Sequence, residues 1–265
     1  MKVIAMVQAR FNSSRMPGKV LQNMCGTPML KRVVDRVAQA QFIDDVIVLT
    51  SDQESDDPIA DFCQRDGIDF YRGPLNDVLG RYWLAAQYYQ ANQVIRITAD
   101  CPLIDAGVID SVIEIHLQQK NDYTSNCLEY SLPDGLDCEI FNYETLEQLA
   151  QQADKLSWRE HVTLMLRQGS LKGDYKVACW KSTEDYSGWR LTVDYPQDFS
   201  FVEEIYQRFD YSHYVTLNDV ITLLNNDSDL RNKMPVIELN EGMNESIKND
   251  NQVEVEKDGT VPEIN

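Results

Sequence analysis

Lys2-Val3-Ile4-Ala5-Met6-Val7-Gln8-Ala9, followed at once by Arg10-Phe11-Asn12-Ser13-Ser14-Arg15-Met16-Pro17-Gly18-Lys19, decides the fold. The first run is almost continuously apolar, the pattern of a strand buried on both faces; the second is polar and holds Pro and Gly, the pattern of a loop. A helix is predicted next, with Thr27 as its cap, Pro28 in the first turn, and Met29, Val33 and Val37 spaced to face a core. Working outward, strands are predicted over 45–50, 68–71 and 93–98. Helices are predicted from Asp57-Pro58 to Asp66 and from an Asn76 cap to about Gln90. This alternation specifies right-handed crossovers and an α/β fold with a mostly parallel sheet between two helical layers. Ligands of such sheets gather at the carboxyl ends of the strands, which singles out 10–19 and Ala99-Asp100-Cys101-Pro102.

The second half is less regular. Strands are expected around Pro133-Asp134-Gly135, over 175–181 and over 190–193, in part as a small irregular β-containing insertion at 123–142. Ser157-Trp158-Arg159-Glu160 reads as a capping box opening a helix, and further helices are expected over 196–208 and 218–225. From 235 to 265 the chain turns polar and acidic, with Lys248 and Lys257 against eight carboxylates. It is expected to be a loosely held tail, dispensable for chemistry, appended to a domain spanning 1–234.

The formal net charge of −19 argues against a nucleic-acid partner, because the averaged surface repels a phosphate backbone. The charge is uneven. Residues 1–40 carry +6 and the remainder −25, so a small anion is expected to dock near the N-terminus. No apolar run approaches the ~20 residues that span a bilayer, and the N-terminal run meets Arg10 with no small-residue cleavage site. Six cysteines are scattered singly, without C-x-x-C pairs, as expected of reduced thiols in a cytoplasmic protein.

In the loop after the first strand, small and hydroxyl residues let backbone approach a polyphosphate, and Arg10, Arg15 and Lys19 supply charge. Its composition fits a phosphate cradle; an ordinary basic surface loop is the alternative. It matches neither G-x-x-x-x-G-K-[ST] nor G-x-G-x-x-G, which removes the main support for P-loop ATPase and dinucleotide readings.

Here the sequence resembles the sugar-acid cytidylyltransferases, closest to the spore coat polysaccharide biosynthesis protein F group, with KDO and acylneuraminate cytidylyltransferases as cousins. Residues 8–19 match the signature Q-A-R-x-x-S-x-R-L-P-G-K except for Met16 in place of Leu. G-D-C-P appears as 99–102 with Ala99 for Gly, Asp-x-Pro-x-Asp as Asp194-Tyr195-Pro196-Gln197-Asp198, and R-E-H-V-T as Arg159–Thr163. Ala99 would strain the backbone if that position needed a positive φ.

The resemblance implies a Rossmann-like three-layer sandwich of the nucleotide-diphospho-sugar transferase type, a homodimer, and transfer of CMP from CTP to an acidic sugar or related small acid with release of pyrophosphate. It implies Mg²⁺ held by Asp100 and Asp194, although either aspartate could instead cap a helix. It places Ala9, Arg10, Ser13, Ser14, Arg15, Gly18, Lys19 and Arg72 around the nucleotide, with Arg72 near the base, and gives Arg10, Lys19 and Asp100 catalytic roles. Asp77 and Arg81 either form an i,i+4 surface pair or face the acceptor. Asn126, Asp137, Glu139 and His161 are acceptor candidates; His161 could equally serve packing or a dimer contact, and His116 and His213 are expected to do neither. Asp137-Cys138-Glu139 also resembles the D-x-D metal motif of glycosyltransferases, a rival reading. A non-catalytic CTP-binding homologue is the other rival.

Overall fold

The computed structural model describes residues 1–169, 175–209 and 214–250; His213 and the tail beyond 250 lie outside them. In chain order the elements are β1 (Val3–Gln8), the two-residue strands β2 (Asn23–Met24) and β3 (Thr27–Pro28), α1 (Met29–Val37), β4 (Asp45–Ser51), α2 (Asp57–Asp66), β5 (Phe70–Gly73), α3 (Val78–Tyr88), β6 (Gln93–Thr98) and α4 (Ala106–Gln119). The second half holds β7 (Tyr123–Ser125), β8 (Glu139–Asn142), α5 (Tyr143–Gln152), α6 (Leu156–Glu160), α7 (Leu164–Arg167), β9 (Val177–Cys179), α8 (Pro196–Gln207), α9 (Leu217–Asn226), α10 (Ser228–Arg231) and α11 (Glu241–Asn249).

Among the described residues the main sheet has seven strands in the order β5-β4-β1-β6-β8-β7-β9. β5, β4, β1 and β6 run parallel, β8 pairs antiparallel with both β6 and β7, and β7 pairs parallel with β9. Alternation along β1 creates three layers. Val3, Ala5 and Val7 enter one core with α1, α2, α4 and α8, whereas Ile4 and Met6 enter the other with α3, α5 and α7.

Several boundaries differ from the sequence reading. Thr27 pairs in β3, so Pro28 is the cap of α1. α3 is capped by Asp77, not Asn76, through Asp77 Oδ1 accepting from Gly80 N at 2.8 Å. Ser157 lies inside α6 and its N–H and hydroxyl bond Asp250. Residues 190–193 form no ladder; Asp134 and Arg190 make an isolated bridge. The approach is close: a Cβ on Gly135, at φ 104°, would lie 2.5 Å from Thr192 N, so only glycine fits there. Residues 123–142 contribute two strands to the main sheet. β7 and β8 are inner strands of the sheet, and Glu129 alone in that range is exposed.

His116, expected to serve no packing role, is buried, with Nδ1 3.1 Å from Thr124 Oγ1 and Nε2 2.8 Å from Gln93 Oε1. All six cysteines are free. No helix among the described residues is long and apolar enough to cross a membrane.

Candidate active site

A cleft of about 460 Å³ opens at the carboxyl ends of β1 and β6. The loop after β1 forms one wall. Asp56, which precedes α2, anchors it: Oδ1 accepts from Phe11 N at 2.7 Å, and Oδ2 accepts from Ser51 N at 3.0 Å and from Ser51 Oγ. Burial pushes this carboxyl up, but the donors from Ser51 and Phe11 outweigh it and hold the pKa below its usual value. Within the loop Gly18 N donates to Phe11 O at 2.8 Å and Met16 N to Ser13 Oγ at 3.3 Å. Gly18 adopts φ 74° and leads into the 3₁₀ turn that carries Lys19 inward. Ala9, Arg10, Ser13, Ser14, Arg15 and Lys19 all line the cleft.

Asp100 and Asp194 meet on the floor. Val193 N donates to Asp100 O at 2.8 Å and Thr192 Oγ1 donates to the same carbonyl at 3.2 Å, which ties the two chain segments together. Lys19 Nζ, on a side chain only 8% exposed, donates to Val193 O at 2.7 Å, lies 3.1 Å from Asp194 Oδ1, and lies 3.5 Å from Asp100 Oδ2. Asp194 also receives Arg15 Nη2 at 2.7 Å and Arg190 Nη2 at 3.0 Å. Burial favours its neutral form, yet Lys19 and Arg15 dominate and hold its pKa at about 2. Asp198 Oδ2 accepts from the Asp194 and Tyr195 N–H groups, both at 2.9 Å, and Arg190 Nε reaches Asp198 Oδ1 at 3.0 Å. The second aspartate of Asp-x-Pro-x-Asp therefore positions the first.

Neither floor carboxylate caps a helix: Tyr195 is the cap of α8 and Asp105 that of α4. Ala99 is buried and is not among the residues of positive φ, so its replacement of glycine strains nothing. Two carboxylates on the floor of a cleft suit a hard divalent cation. Asp194 is engaged by three cationic side chains, whereas among the described residues Asp100 has Lys19 at 3.5 Å from Oδ2 and the Cys101 thiol at 3.6 Å from Oδ1, so it is the less heavily engaged of the two carboxylates. Among the described residues no group of three or more His, Cys, Asp or Glu is arranged to hold a metal, so a cation here would depend on these two carboxylates and on ligand oxygens.

The remaining candidates divide. Arg81 is buried and lines the cleft, but it donates to Pro74 O at 2.7 Å and Leu75 O at 3.0 Å, while Asp77 pairs with Arg159 at 3.2 Å; the i,i+4 pair does not form. Arg72 turns to the Ser51 and Gln53 carbonyls, both at 2.8 Å, and to Asp57 at 2.7 Å, and does not line the cleft. Asn126 is buried, bonding Leu136 O at 2.7 Å and Cys138 N at 2.8 Å. Glu139 is enclosed by Arg96 Nη1 at 2.5 Å, Tyr123 Oη at 2.7 Å and the Thr163 hydroxyl. Asp137 instead lines a chamber of about 150 Å³ beside Asp100, so the D-x-D reading loses its second carboxylate. Burial and the charge of Glu139 push the Asp137 pKa up to about 6.

His161 lines the cleft, and burial, reinforced by Arg96 and Arg167, lowers its pKa to about 4, so it is neutral at neutral pH. Its successor Val162 takes φ 46°, a costly conformation for a β-branched residue, and Thr163 is then turned onto Glu139. Sequence reasoning missed Asp56 and Arg190, whose partners are brought to them by folding. It also missed Arg96, which reaches the cleft from β6.

Comparison with known proteins agrees with this architecture. Residues 4–217 match the family model described as cytidylyltransferase. The chain belongs to the cytidylyltransferase family, and is thus a nucleotidyltransferase. The spore coat polysaccharide biosynthesis protein SpsF of Bacillus subtilis is 31% identical over 234 residues, covering 86% of this cytidylyltransferase and 95% of that protein. The 3-deoxy-manno-octulosonate cytidylyltransferase of Geobacter metallireducens is 31% identical over 113 residues, 43% of this chain and 44% of that one. Among solved structures, a cytidylyltransferase from Leptospira borgpetersenii superposes with a TM-score of 0.83 at 28% identity, over 90% of this chain and 100% of that chain.

Proposed function

We propose that the enzyme transfers CMP from CTP to an acidic sugar or related small acid, releasing pyrophosphate, in the supply of precursors for surface polysaccharide or glycan. The observation that carries this reading is the meeting of Lys19, Asp100 and Asp194 at the foot of the basic loop. In this reading Arg10, Arg15 and Lys19, with the Ser13-Ser14 backbone, which line the cleft, neutralise and orient a triphosphate and thereby stabilise charge that builds on the departing pyrophosphate. The acceptor oxygen attacks the α-phosphorus in line, and the phosphoanhydride bond to the pyrophosphate breaks. A divalent cation held by Asp100 and Asp194, Mg²⁺ in our reading, would supply Lewis-acid neutralisation of phosphate oxygens. Lys19 holds the two carboxylates at one point and Arg190 keeps Asp194 in position.

The name of the Geobacter relative, a 3-deoxy-manno-octulosonate cytidylyltransferase, supports cytidylyl transfer to a sugar acid, and that of SpsF supports a role in polysaccharide supply. We assign the catalytic unit to 1–234 and place the protein in the cytoplasm. A homodimer is part of the proposal, but the inward-facing segment 123–142 offers little surface for it. Incubation with each nucleoside triphosphate, MgCl₂ and a panel of sugar acids, with pyrophosphate followed, tests the reading. CTP-selective, acid-dependent release is expected; release with another nucleotide, or none with any acid, overturns it.

A further inference from the structure

The segment after residue 234 lies outside the region matched by the family, yet its described part reaches the cleft. Gly242 lines the cleft. Ile237, Glu238, Asn240 and Glu241 wall the 150 Å³ chamber that adjoins it through Arg15, Asp100 and Asp194. Helix α11 docks on α6 through Ser246 Oγ, which donates to Glu160 Oε2 at 2.7 Å, and through the Asp250 carboxylate, which accepts from Ser157 N at 2.9 Å and Ser157 Oγ at 2.6 Å. None of its residues is buried, so polar contacts rather than a core hold it, and such an element opens at low cost.

One of those contacts falls on the proposed phosphate loop. Glu241 Oε2 accepts from Tyr195 Oη at 2.9 Å and lies 3.7 Å from Arg15 Nη1. Arg15 is incompletely satisfied in this arrangement: its Nε is buried without a hydrogen-bond partner. A carboxylate thus sits where a more highly charged phosphate would bind the same guanidinium better. We propose that residues 237–249 are a strap that competes with the nucleotide's phosphates for Arg15 and is displaced when nucleotide binds, opening the adjoining chamber. The proposal rests on the reading of the cleft as a nucleotide site.

The test measures CTP affinity by calorimetry, in MgCl₂, for the full-length wild type, for Glu241→Gln, and for Asp250→Asn, which loosens the docking at Ser157, a residue that does not line the cleft. Hydrogen exchange of residues 237–249 is followed with and without CTP. Both variants are expected to bind CTP about two- to fivefold tighter, the range set by losing a half-exposed ion pair, and CTP is expected to speed exchange in the strap. Unchanged or weaker affinity in Glu241→Gln, or exchange in the strap that CTP leaves unaltered or slows, overturns the strap. Failure of the wild type to bind CTP overturns the nucleotide reading instead.

Discussion

Lys19 Nζ lies 3.1 Å from Asp194 Oδ1, although the two residues belong to opposite ends of the catalytic region. The pair is largely shielded from water: the Lys19 side chain is 8% exposed and that of Asp194 19%. Removing the ammonium therefore leaves a buried carboxylate short of a partner as well as removing the proposed contact to phosphate.

Lys19→Ala is expected to weaken CTP binding by roughly tenfold or more, the equivalent of about 1.5–3 kcal/mol for a charge-assisted contact. Titration calorimetry checks it. Lys19→Arg is expected not to restore affinity, because a planar fork cannot reproduce the three-way contact to Val193 O, Asp194 and Asp100. Unchanged affinity in the alanine variant would remove the phosphate-cradle assignment.

His116 should contribute a loss of stability as pH drops below about 6.5, opposite in sign to the contributions of Asp134 and Asp137, whose pKa values are raised to about 7 and about 6. Burial lowers the His116 pKa to about 4, so between pH 6.5 and about 4 the unfolded chain binds a proton there that the folded chain refuses. The stabilisation is fully present above the unfolded pKa and is lost progressively toward pH 4, by about 3 kcal/mol in all. Denaturant melts from pH 7 to 4 should show wild type losing stability relative to His116→Gln as pH falls; parallel curves would refute the assignment.

Much of this was legible in the sequence because local pattern and tertiary role coincide. The apolar run 3–8, the basic loop and the aspartates following strand-like segments each announce a place at the sheet's carboxyl edge. What was not legible depends on partners distant in sequence. Arg190 looked like part of a strand because its real business, binding Asp134, Asp194 and Asp198 together, exists only after folding. Glu139 and Asn126 are acceptor candidates in the sequence as polar residues of its second half, and only folding shows that Arg96, Cys138 and Leu136 take up their polar atoms. Composition likewise gave no sign that Gly242, in an acidic tail, reaches the cleft, or that Ile237, Glu238, Asn240 and Glu241 wall the chamber beside it.

Gly135→Ala should destabilise the fold by about 2 kcal/mol or more. Its φ of 104° is strained for alanine, and the new Cβ would meet backbone atoms of Leu191 and Thr192 that cannot simply rotate away. Because that contact orients Arg190, and through it Asp194, activity should fall with stability. Thermal melting and turnover of the same preparation check both; a normal midpoint would show that the loop has room to give.

Asp100→Asn tests the central claim most directly. The amide keeps the side chain's shape and Asp100 caps no helix, so the variant should fold normally. CTP binding should survive on the basic loop, whereas neutralisation is most needed as charge shifts onto pyrophosphate. Initial rates of pyrophosphate release at saturating CTP, across a Mg²⁺ titration, are the measurement. The account predicts a folded protein that binds CTP with turnover reduced by about a hundredfold or more; a near-normal rate with an unchanged Mg²⁺ dependence would contradict it.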